Sequence, residues 1–448
     1  MYLNPRKPRR HDSAGRVLIL VVLIIGGLYI IREQIGGAGW TRPFDPTPTP
    51  TRSAESYFEE AEALYEEGLL DEAIIAYRQA FALDPEDNVA LFRLARLMII
   101  RGQSTQVLET YGRRLQDETL GDAYTLAIFG KAIDWHAPFN SEELLPLYVE
   151  LGVIDAEELK AEDWAYDADK MARRLVQSAQ KMCERAVRAD RNLPEAHAYL
   201  AEALADRGRF EEAQLAAQRA IDLNPNIPDT HRAMAFVFEA QGEYAKAIEY
   251  YQAAIQVGPQ LDFLYIALGK NYRALGFRQR LFGKWDEAQP YFEQAVTAFE
   301  EAIKLTPKSP ISYDEIGWTF GYYMAQDRQT MQKGIDYLEE ALAQDPEYAL
   351  AYRHLGQIYY YGLHNYEEAI PNLEKALELG GIPLVDQAIS HIMLGWSYYT
   401  LDVREKGKET ACANARPHFE AALDKLLKLP NRELEWENIA AQGLEACK

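Results

Sequence analysis

Apolar residues along most of this chain recur at i, i+3, i+4 and i+7, the spacing of amphipathic helices. The helices come in pairs. The first of a pair carries a bulky residue, then Leu-Gly or Leu-Ala three positions on, then a second aromatic. Tyr265-x-x-Leu268-Gly269-x-x-Tyr272 and Tyr352-x-x-Leu355-Gly356-x-x-Tyr359 are clear copies. In the second helix small residues set the rhythm: Ala213, Ala220 and Pro225 return 34 residues later as Ala247, Ala254 and Pro259. The spacing predicts two antiparallel helices per unit. Gly208 and Gly242 end the first helix by admitting a positive φ, the alanines share one face, and the proline stops the second helix.

A repeat of this length is a unit that cannot bury its apolar face alone, so copies stack. These residues resemble the tetratricopeptide repeat (TPR), and the resemblance covers nearly everything after Ser53. About nine copies are legible. The first contains Gly68, Ala73, Tyr77, Ala80 and Pro85; the second has Arg114 where alanine is expected. The third is split by an insertion at 137–165 and resumes at Ala186, and two regular copies start at Pro194 and Pro228. The sixth is extended over 262–308, and a helix over 432–447 caps the ninth. The resemblance implies an all-α, right-handed superhelical solenoid over 53–448, in which each repeat contacts only its neighbours.

Charge sharpens the picture. The formal net charge is −22, but residues 1–52 carry +5 and the remainder −27. An acidic body argues against nucleic acid as a partner, because phosphates demand a basic footprint. Val17–Ile31 is an uncharged apolar run of fifteen residues that Arg16 and Arg32 lengthen by snorkelling. It predicts a transmembrane signal-anchor over 17–35, the alternative being a signal cleaved near Gly36-Gly37-Ala38. Five basic residues precede the run, so a cytoplasmic tail at 1–16 and repeats on the outer side of the cell membrane are expected. The Thr-Pro alternation in the linker over 36–52 favours an extended, semi-rigid stalk.

Functional candidates come from departures from the repeat. The insertion reads as a short helical excursion packed through Leu144, Leu147, Tyr148, Leu151 and Ile154. In TPR proteins the concave surface is lined by first-helix residues outside the packing signature. Here these are Asp314, Trp318 and Tyr322, then Arg353, Gln357, Tyr360 and Tyr361, then Trp396 and Tyr399. Together they imply an aromatic stripe suited to a protein or peptide partner, or alternatively to a glycan or small ligand. The regular repeats offer Glu202, Asp206, Asp229, Arg232 and Glu239 instead. The carboxylate-gripping set of some TPR domains is not matched, since Glu62, Arg96, Glu202, Phe236, Lys270, Trp318, Gln357 and Trp396 stand where it needs Asn.

The sequence holds no phosphate loop, HExxH, GxSxG or CxxC, hence no sign of catalysis, metal or cofactor. His197, His231 and His391 occupy the first bulky packing position. Cys183 reads as a small apolar residue. Cys412 lies 18 residues before Pro430 and Cys447 lies 17 after it, so a turn at Pro430-Asn431 would bring the two level on antiparallel helices. With the repeats outside the cytoplasm an oxidised pair could pin the exposed end of the array; the alternative is two unrelated cysteines, one of them on a frayed terminus. The expected function is a membrane-tethered TPR scaffold for protein–protein interaction in the cell envelope.

Overall fold

The computed structural model describes residues 52–115, 122–139, 142–160, 167–405, 407–429 and 434–448. Met1–Arg52 and Ser53–Lys448 are separate units. The tail, the signal-anchor, most of the linker and the turn at Pro430-Asn431 thus lie outside the described residues. Among the described residues no helix is long and apolar enough to cross a membrane.

Among the described residues every element of the second unit is helical. In chain order they are α1 (Ala54–Glu66), α2 (Leu70–Leu83), α3 (Asn88–Ile100), α4 (Ser104–Leu115), α5 (Ala123–His136), α6 (Leu145–Glu150), α7 (Ala168–Ala189), α8 (Pro194–Asp206), α9 (Phe210–Leu223), α10 (Pro228–Ala240) and α11 (Tyr244–Val257). There follow α12 (Asp262–Leu281), α13 (Trp285–Leu305), α14 (Pro310–Trp318), α15 (Arg328–Gln344), α16 (Ala349–Gln357), α17 (Tyr366–Leu379), α18 (Leu384–Glu405), α19 (Lys408–Leu427) and α20 (Leu434–Ala446). Consecutive helices pair as hairpins, with α5 and α7 pairing across the insertion. The second helix of that third repeat begins at Ala168, well ahead of Ala186.

The signature residues explain the hairpin. Gly208 and Gly242 sit at φ 69° and 72° and turn the chain out of α8 and α10. The Arg209 amide then donates back to the Leu204 carbonyl at 2.9 Å, closing the helix end. Ala213, Ala220, Ala247 and Ala254 are fully buried. The glycine after each signature leucine is a contact, not a hinge. A Cβ on Gly269, Gly317, Gly356 or Gly395 would lie 2.4–2.7 Å from Phe299, Leu338, Leu373 or Phe419 of the partner helix. The first bulky position has a second role, since His197, His231 and Tyr265 each bond the carbonyl six residues back (Arg191, Pro225, Pro259; 2.9–3.1 Å).

In the insertion, Tyr148, Leu151 and Ile154 are buried. His136 is wedged between Tyr148 Oη and Thr105 Oγ1, 2.9 Å from each. Burial pushes its imidazole down to about 4.

One expectation fails: repeats contact more than their neighbours. Arg96 on α3 donates from Nε to Asp229 on α10 at 2.8 Å, and Arg101 Nη1 reaches Asp262 at the start of α12 at 2.7 Å. Phe92 stacks near Tyr199, with centroids 6.3 Å apart. Repeats one and two therefore close onto repeats four to six. Of the predicted acidic stretch, Glu202, Asp229 and Arg232 are buried between repeats, with Asp229 met by Arg96 across the closure, while Asp206 stays exposed. Glu202 accepts from Arg232, from Lys131 at 3.3 Å and from Trp135 Nε1 at 3.0 Å. Lys131 lies 4.4 Å from the ring centres of both Trp135 and Tyr199. Burial, helped by Arg232, brings its ammonium down to about 8. Long charged side chains, each too costly to bury alone, are accommodated because they meet partners across the closure.

Candidate partner-binding groove

The predicted aromatic face is built where two consecutive first helices loosen in the same way. After α14 the chain makes one π turn at Thr319–Tyr323, and after α16 another at Ile358–Gly362. Each closes with an i→i−5 bond, Met324 to Thr319 (2.8 Å) and Leu363 to Ile358 (3.1 Å). A π turn inserts one residue into the helical register and re-aims the side chains that follow. Here it turns out the doublets Tyr322-Tyr323 and Tyr360-Tyr361.

Trp318 is buried between two parallel rings. Tyr322 stacks at 4.4 Å and His354, from the next repeat, at 4.3 Å. Buried Asp314 orients His354 through Nδ1 at 2.7 Å. Tyr323 meets Trp318, Phe277 and Tyr322 edge-on. Arg280 underpins the turn, donating to the carbonyls of Tyr322 (2.8 Å) and Tyr323 (2.9 Å) with its guanidinium over both rings. Below it, Glu315 binds Lys270 (2.8 Å) and Arg273 (2.6 Å). Burial opposes the Glu315 charge, yet the two cations outweigh it and hold the carboxyl down to about 2.

The eighth repeat adds the open part. Tyr361 is 41% exposed, while Tyr360 is half-buried and edge-on to it at 4.7 Å. Arg353 and Gln357, one turn apart on α16, are at most 9% exposed. Arg353 binds Asp386 through Nη2 at 2.5 Å, but its Nε and the Gln357 Oε1 have no partner among the described residues.

The nine predicted residues do not form one continuous stripe. Asp314, Trp318 and Tyr322 meet in one stack, and Tyr360 and Tyr361 lie over the next turn. Trp396 and Tyr399 pack elsewhere, on the terminal core around Phe419. There the structure joins Cys412 and Cys447 in a disulfide, with Cα atoms 5.2 Å apart. Sequence reasoning missed His354, Tyr323 and Arg280. The tyrosine doublets were the available signal, but the extra residue of a π turn has no sequence mark that a 3.6-residue period reveals.

Repeat models describe the same units. Tetratricopeptide repeat models match residues 54–87, 194–227, 226–301 and 332–378. This is a tetratricopeptide repeat array. No curated protein matches the sequence. Among solved structures the array is similar to a thermophilic TPR protein of Thermus thermophilus, at 21% identity over 45% of this chain and 98% of that one, with TM-score 0.38. It is also similar to pilF of Pseudomonas aeruginosa, at 18% identity over 56% and 97%, with TM-score 0.39. A human IFIT1 dimer with PPP-AAAA is similar at 16% identity over 88% and 91%, with TM-score 0.48.

Proposed function

We propose that this TPR array is a protein-interaction scaffold that receives a protein or peptide partner over the π turns of repeats seven and eight. The observation that carries the reading is the Tyr361 ring, 41% exposed on the π turn of repeat eight with Tyr360 edge-on to it at 4.7 Å. Tyr361 offers a partner a rigid apolar face with a phenol at its tip. Buried Trp318 shapes this surface by holding Tyr322 and His354; it is a packing residue rather than a contact. We further propose that residues 17–35 tether the array at the cell membrane, with the repeats outside. The apolar run and the basic residues before it support that reading. So does the Cys412–Cys447 disulfide, since such bonds persist in oxidising compartments.

The test is capture of the partner by residues 53–448 in wild-type, Tyr361→Ala and Tyr361→Glu forms. Each variant should recover at least about tenfold less of the same protein while unfolding as the wild type does. Equal recovery by all three removes the groove from the binding mechanism. A glycan recovered in place of a protein would favour the receptor alternative. Topology is read separately: protease added outside spheroplasts should digest the repeats and spare an N-terminal tag.

A further inference from the structure

The sixth repeat departs from the array in a way that partner binding over repeats seven and eight does not use. Regular second helices such as α9 and α11 have 14 residues, whereas α12 and α13 have 20 and 21. The hairpin therefore carries its turn about 10 Å further out, at 1.5 Å per residue. The turn exposes Leu281 (68%), Phe282 (73%) and Trp285 (37%) in succession. Gly283, at φ 74°, makes the bend. The tip is held rather than loose, because the Arg280 guanidinium lies 5.4 Å from the Trp285 ring centre while bonded to the Tyr322 and Tyr323 carbonyls.

Its charge is equally distinct. From Phe263 to Trp285 stand Lys270, Arg273, Arg278, Arg280 and Lys284 with no Asp or Glu, in a region whose net charge is −27, and exposed Asp286 and Glu287 follow directly on α13. Lys270 and Arg273 are matched by Glu315. Arg278 and Lys284 flank the tip in solvent, and Lys284 also pairs with Glu287 at 3.0 Å on the first turn of α13. We propose that this tip is a membrane-contact site that inserts Leu281, Phe282 and Trp285 into the interfacial region of an anionic lipid bilayer. A protein partner needs a complementary concave surface to cover a projecting turn. A bilayer accepts it without shape matching, taking aromatic and aliphatic side chains at headgroup depth with cations beside them. Apolar insertion supplies the binding, and the flanking cations supply the preference for anionic lipid. The acidic body is then held off the surface on this one protrusion, with the partner face of repeats seven and eight beside it.

Ser53–Lys448 is a compact unit with its own core, so the test uses it without the apolar run. The outcome is thereby independent of the anchor and of any protein partner. The region is sedimented with vesicles of phosphatidylcholine alone and of equal parts phosphatidylcholine and phosphatidylglycerol. It should pellet with the mixed vesicles. Leu281→Ser/Phe282→Ser/Trp285→Ser should weaken binding at least about tenfold, since each lost apolar side chain removes a burial contribution. Arg278→Gln/Lys284→Gln should lose the preference for phosphatidylglycerol. Matched circular-dichroism melts establish that the variants fold. Wild type remaining in the supernatant with both vesicles, or a triple variant that pellets equally, overturns the proposal. So does wild-type self-association that the triple variant abolishes without any vesicle binding, which would make the tip a contact between copies.

Discussion

At the scale of single residues, burial sets both charge state and tolerance. His136 is fully enclosed and its pKa lies near 4, below its ordinary 6.5, so the folded state selects the neutral ring. Stability from this site is complete above pH 6.5 and declines as pH falls towards 4, because the unfolded chain takes the proton first. The full effect is ~3 kcal/mol. His391 moves in the same direction, through burial first and then His418 and Lys425. Urea unfolding across this range should therefore lose stability with acid, and His136→Gln should make the slope shallower. An unchanged slope would mean the ring is not held neutral. Gly334 is a purely steric case. A Cβ there would lie 2.6 Å from the Cα and N of Gly321 and 2.7 Å from the Gly317 oxygen, all backbone atoms that cannot step aside. Gly334→Ala should destabilise the protein by about 1–3 kcal/mol, measured by equilibrium denaturation.

At the scale of elements, the array uses local irregularity to make sites. The two π turns place tyrosines where a regular helix would not, and the lengthened sixth hairpin carries its apolar tip outward. The far end is pinned covalently: Cys412 on α19 and Cys447 just beyond α20 close a loop of 35 residues, and Arg416 donates to the Cys447 carbonyl at 2.6 Å. A terminal helix of a repeat array has a neighbour on one side only, so it is the first to fray. Cys412→Ser/Cys447→Ser should cost about 2–4 kcal/mol. Hydrogen exchange should speed up in α20 and the start of α19 while α1 to α5 keep their protection. Uniform acceleration across the array would contradict a local role for the bond.

At the scale of the whole repeat region, the distant contacts matter more than any single hairpin. Arg96 and Asp229 are separated by 133 residues and both buried. Burial opposes the Asp229 charge, but Arg96 and then Arg232 outweigh it and hold its carboxyl well below the usual range. Removing Arg96 leaves Asp229 with Arg232 alone, at 3.3 Å, which costs about 3–5 kcal/mol, whereas removing both Arg96 and the Asp229 charge costs less. Arg96→Met should therefore lower the urea midpoint strongly and open repeats one and two to protease. Adding Asp229→Asn should restore most of the loss. If the double variant is as unstable as the single one, the pair does not join these repeats.

The sequence by itself determined the helices, their pairing and the small residues at each close contact. Period, Ala-Ala-Pro spacing and Leu-Gly signatures act within about 34 residues, where local geometry leaves one arrangement. It also singled out Trp318, Tyr322 and Tyr361 as unusual first-helix residues. Only the tertiary structure decided which positions stayed open. Glu202, Asp229 and Arg232 carry the polarity of a groove, yet Lys131 and Trp135 of repeat three and Arg96 of repeat two meet them and turn them into a core. Trp318 has the chemistry of a contact, but His354 from the next repeat stacks on it. Trp396 and Tyr399 share its register and are drawn instead to Phe419 near the disulfide. Small rotations between successive repeats accumulate along the array, and exposure at a given position depends on that accumulated path, which no single repeat encodes.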